Sequence, residues 1–71
     1  MKAKKKFTVV IERDEDGFLV ATVPSLRGCH TQAKSLDTLM RRVREVIALC
    51  LEESNEDARE LELVGIQQVS L

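Results

Sequence analysis

Along the first third of the chain, apolar and polar positions alternate with the period of a strand. Phe7, Val9 and Ile11 interleave with Thr8, Val10 and Glu12, and the β-branched residues suit a pleated surface, so Lys6 to Arg13 is expected to be a strand. Asp14-Glu15-Asp16-Gly17 supplies a reversal, with Gly17 free to take a positive φ. Phe18 to Val23 then reads as the second strand of an antiparallel hairpin. Pro24 cannot donate to a ladder and ends it, Ser25 to Gly28 forms a loop, and Cys29 to Ala33 makes a short third strand.

At Ser35 the period changes. Serine is a favourable N-cap, and Asp37 falls in the first turn, where the helix dipole favours an acid. Leu36, Leu39, Met40, Val43, Val46, Ile47, Cys50 and Leu51 share one broad face at 3.6 residues per turn, predicting a helix from Leu36 to about Glu53. Leu49 is the exception, on the polar side. Ser54 to Glu60 is polar and reads as loop. From Leu61 to Leu71 period two returns, with Leu61, Leu63, Val69 and Leu71 on one face and Gly65 and Gln67 interrupting it. A last strand is expected there, bent or bulged, with regular pairing from about Ile66.

The predicted architecture is therefore α+β, one domain spanning residues 1–71 in the order β-β-β-α-β: a four-stranded mixed sheet with one helix on one face. The helix forms a right-handed crossover, and the last strand closes the sheet parallel to the first. Both faces of the sheet carry apolar side chains, yet only one helix is available to cover them. Val10, Phe18 and Val20 on the open face, together with Leu49, are the expected surface for self-association into a dimer or tetramer.

Length sharpens this expectation. A chain of 71 residues has a marginal core, and domains of this size usually add a disulfide, a metal or a partner subunit. The two cysteines, Cys29 and Cys50, form no disulfide framework, and Cys50 sits on the apolar helix stripe as a small hydrophobe. The single histidine, His30, has no metal-ligand spacing around it, so no metal and no cofactor are expected. Self-association remains as the expected staple.

The net charge of −1 hides an uneven distribution. Residues 1–6 carry +4, residues 7–51 balance six bases against six acids, and residues 52–71 carry −5. Residues 1–5 read as a disordered basic start. The apolar run from Phe7 to Ile11 is too short for a signal sequence or a membrane span, so a cytoplasmic protein without membrane association is expected. Asp14-Glu15-Asp16 lies on a turn, where successive carboxylates splay apart instead of converging on metal ions. Ser25 and His30 have no orienting acid nearby, and the chain is expected to be no enzyme. Lys2 to Lys6 with Arg41, Arg42 and Arg44 leave weak nucleic-acid binding as an alternative, although two phenylalanines and no other aromatic residue offer little for base stacking.

The stretch from Asp14 to Glu53 resembles the HicB family of antitoxin domains. Asp16-Gly17-Phe18 looks like the family's hairpin, and Val23-Pro24-Ser25-Leu26-Arg27-Gly28-Cys29 like its P-x-L-x-G-C loop. Thr31-Gln32-Ala33-Lys34-Ser35-Leu36-Asp37 resembles the start of its helix, which here runs to Leu51-Glu52-Glu53. The resemblance implies a reduced ribonuclease-H-like fold without catalysis. It also implies a partner: a small basic HicA-type toxin that cleaves messenger RNA, neutralised by binding. The acids expected to face it are Asp14, Glu15 and Asp16 at the hairpin tip and Glu52, Glu53, Glu56 and Asp57 after the helix. Many family members carry a DNA-binding segment after this domain. Nothing after Leu71 supplies one, so direct DNA binding is not expected. An orphan oligomeric scaffold without a toxin is the other reading the resemblance leaves open.

Overall fold

The computed structural model describes residues 6–53 and 61–71. Three strands, β1 (Val10–Arg13), β2 (Leu19–Thr22) and β3 (His30–Ala33), precede one helix, α1 (Leu36–Glu53). The strands form an antiparallel meander in the order β1-β2-β3. The predicted basic start (residues 1–5) and polar loop (54–60) lie outside the described residues.

The strands are shorter than the alternation suggested, for a local reason. Beyond Thr22 the backbone turns into its own loop bonds: Val23 N–H donates to Cys29 C=O (2.9 Å) and Leu26 N–H to Val23 C=O (3.0 Å). Gly28 completes the loop at φ +70°, a conformation that costs glycine little. With β2 ended there, Lys6 to Val9 runs past it and lies outside the sheet pairing.

The ladder register fixes the faces. The rows Ile11–Ala21–Thr31 and Arg13–Leu19–Ala33 face the helix, whereas Val10–Thr22–His30 and Glu12–Val20–Gln32 face away from it. Helix α1 covers the first face but lies over β3 and β2 and does not reach β1. Ala21, Ala33, Leu39 and Val43 close one half of the core. Val23, Leu26 and Cys29 close the other, with Phe7, Val9, Val46, Ile47 and Cys50 half-buried around them. At its start the helix is capped as predicted: Ser35 C=O accepts from Leu39 N–H (2.9 Å), and Ser35 Oγ accepts from Thr38 N–H (3.3 Å).

One expectation is corrected. Among the described residues the sheet has three antiparallel strands and no parallel one, and residues 61–71 form no strand and pair with nothing in the sheet. Every residue of that segment is exposed, including Leu61, Leu63, Val64, Ile66, Val69 and Leu71.

Candidate protein interface

The meander brings three of the four predicted association residues together. Val10 and Val20 occupy adjacent rows of the open face, in the diagonal relation at which side chains of neighbouring strands touch, and Phe18 lies one pleat beyond Val20. All three are half-buried. The Lys34 ammonium sits 5.3 Å from the Phe18 ring centroid, close enough for a cation–π attraction. Leu49 is not part of this patch. It is 54% exposed on α1, in the layer on the opposite side of the sheet.

The hairpin tip borders the patch directly, since Phe18 follows the turn. Asp14 shapes that turn: its Oδ1 accepts from Asp16 N–H and from Phe18 N–H, both at 2.9 Å. Asp14 N–H donates to Phe18 C=O (2.9 Å), Gly17 N–H to Asp14 C=O (3.1 Å), and Gly17 takes φ +88°. One carboxylate oxygen of Asp14 is therefore committed to the fold, while Glu15 and Asp16 stand exposed without a bond of that kind among the described contacts. Glu12, which the sequence reading did not single out, joins them. It pairs with Val20 across the ladder, so its exposed carboxylate lies on the open face beside the apolar patch. The period-two parity it shares with Val10 was the signal that would have found it.

The acids after the helix fall elsewhere. Glu52 is exposed on the last turn of α1, and Glu53 ends that helix. Glu56 and Asp57 lie outside the described residues. The structure thus joins Glu15 and Asp16 to the patch at Val10, Phe18 and Val20, and leaves Glu52 in the helical layer.

The remaining chemistry-bearing candidates are Cys29 and His30. Cys29 is buried, and its thiol is pushed up to about 11, first by burial and then by the thiol of Cys50 beside it. A thiol held protonated at neutral pH is a poor nucleophile and a poor metal ligand. His30 is exposed at the start of β3. Among the described residues no three His, Cys, Asp or Glu side chains converge as a metal site would require, and no helix is long and apolar enough to cross a membrane.

Comparison with known proteins places these features in a family. Residues 7–69 match the family described as the HicB-like antitoxin of bacterial toxin–antitoxin systems. A UPF0150 protein of Archaeoglobus fulgidus is 56% identical over 66 residues, spanning 93% of this chain and 94% of the relative. One from Synechocystis is 48% identical over the same shares of the two chains. A third, from Thermotoga maritima, is 35% identical over 96% of this chain and 92% of its own length.

Proposed function

The chain belongs to the HicB-like antitoxin family, and from that membership we propose that it neutralises a small, basic HicA-type toxin by binding it, with no catalysis and no cofactor of its own. The observation that carries this reading is the contiguity on the open sheet face. An apolar patch of Val10, Phe18 and Val20 is bordered by the free acids Glu12, Glu15 and Asp16.

Such a surface suits a basic partner physically. Carboxylates at the rim raise the encounter rate with a positively charged protein, and the apolar centre supplies the burial that slows release. Asp14 contributes indirectly, by holding the turn that presents its two neighbours. Glu52, on the helical layer, would meet the toxin only if it wraps beyond the sheet edge, so its contribution should be smaller than that of the hairpin acids.

The test begins with the tagged chain recovered from its host at moderate salt, expected to bring a stoichiometric small basic protein of HicA type. On that complex, the double reversal Glu15→Lys with Asp16→Lys should weaken binding about tenfold, mostly through slower association that approaches wild-type rates at high salt. Unchanged affinity would move the interface away from the hairpin. Recovery of the bare chain alone would favour an orphan scaffold, and recovery of nucleic acid that nuclease removes would favour the basic start as the working surface.

A further inference from the structure

Independently of any toxin, we propose that two copies of this chain exchange their segments 61–71, each segment lying as a strand along the free edge of β1 in the other copy. Two features of the molecule fit one another and do not meet within a chain. One is the segment itself, with Val64 93% exposed, Ile66 71% and Val69 80%, and with apolar residues recurring on both faces of an extended run. Contiguous apolar exposure on this scale marks an interaction surface. In keeping with an arm held off the body, the radius of gyration is 13.5 Å, against about 11 Å for a packed domain of this length.

The other feature is the vacant place beside β1. This strand is at the edge of the sheet, α1 does not reach it, and Ile11 on its helix-facing side is 41% exposed. Phe7 and Val9 continue the same face past the end of β2 and are only half-buried. A strand added here would lie beside Phe7, Val9 and Ile11 and cover the apolar side chains that α1 leaves bare. It would occupy the position that the sequence pattern assigned to a fourth strand.

The opposite edge is a poor alternative. There β3 presents His30, Thr31 and Gln32, and the Gln32 carbonyl already accepts the Arg42 guanidinium at 2.7 Å. A carbonyl already bonded by an arginine is one acceptor fewer for an added strand. A second copy suits the β1 edge because the exchange is self-complementary. A twofold axis satisfies both arms and both edges at once, leaving no open end on which further copies could grow. Eleven donated residues and a similar number receiving them give about twenty residues a side, the scale of a stable interface.

The experiment uses the full chain. Light scattering should return the mass of two copies or a multiple of two, and a single-chain mass overturns the exchange. In a dimer refolded from equal parts of isotope-labelled and unlabelled chain, isotope-filtered NMR should show contacts between copies from Leu63, Val64 and Ile66 to Phe7, Val9 and Ile11. Contacts between copies that fall instead on Val10, Phe18 and Val20 overturn it, as does a segment that pairs with β1 of its own chain. So does protection of the segment that arises only when another protein binds. The substitution Ile66→Pro removes a ladder donor and should loosen the dimer by about a hundredfold or more. An unchanged dissociation constant contradicts the proposal, and should that variant fail to fold, the NMR on the unaltered chain decides alone.

Discussion

At the scale of single residues, Cys29 shows how a fold changes chemistry. Its thiol ordinarily loses its proton near 9.0, and burial beside Cys50 pushes that up to about 11. Because the folded value is the higher one, the stabilisation is complete below about pH 9, where both states are protonated. It is lost as pH rises from there through 11, since the unfolded chain gives up its proton first. Urea unfolding from pH 8 to 11 should therefore show the stability advantage of the wild type over Cys29→Ala shrinking by on the order of 2 kcal/mol. An advantage that does not change with pH would mean that the thiol is not held protonated by the fold. The same burial makes Cys29 slow toward thiol reagents at neutral pH, in line with its place in the core beside Val23 and Leu26.

At the scale of elements, the hairpin and the helix were legible for the same reason: their signals are local. Asp14 and Gly17 stand where a turn needs a short acceptor and a positive φ, and the structure uses both in that way. Asp14→Ala should lower stability by roughly 1–2 kcal/mol through the loss of two backbone-to-carboxylate bonds, whereas Asp14→Asn, which keeps an acceptor oxygen, should cost less. Urea unfolding of the two variants checks this, and equal losses would deny the turn role. Helix α1 starts and ends where the cap at Ser35 and the apolar stripe predicted. The outer parts of the strands were not legible, because alternation at Lys6 to Val9 reports suitability for a sheet and cannot report whether a neighbour continues alongside. The neighbour stops at Thr22, where loop hydrogen bonds take over.

For the whole molecule, the decisive quantity is how little the chain buries by itself. The fully buried apolar residues among those described are Ala21, Val23, Leu26, Cys29, Ala33, Leu39 and Val43, several of them small, while the apolar segment 61–71 stays in solvent. A domain of this size has a marginal core that association can supplement. With exchanged strands, melting should be concentration-dependent, the Tm rising as the protein is raised from micromolar to hundreds of micromolar. A Tm that stays constant across that range would mean that the small core suffices alone.

The sequence by itself determined the order of the first three strands and the helix, the turn at Asp14 to Gly17, the cap at Ser35 and the apolar character of both sheet faces. Each of these is written in a few neighbouring residues, through backbone sterics, capping bonds and side-chain period. Only the tertiary structure decided that Glu12 joins the patch with Val10, Phe18 and Val20 while Leu49 falls in the other layer. Tertiary structure likewise decided that α1 leaves β1 bare and that residues 61–71 do not pair within the sheet. Those outcomes depend on which surfaces meet across long stretches of chain. A period of two announces that a strand wants a partner and an apolar face wants cover, but its local pattern is the same whether they come from the same chain or another.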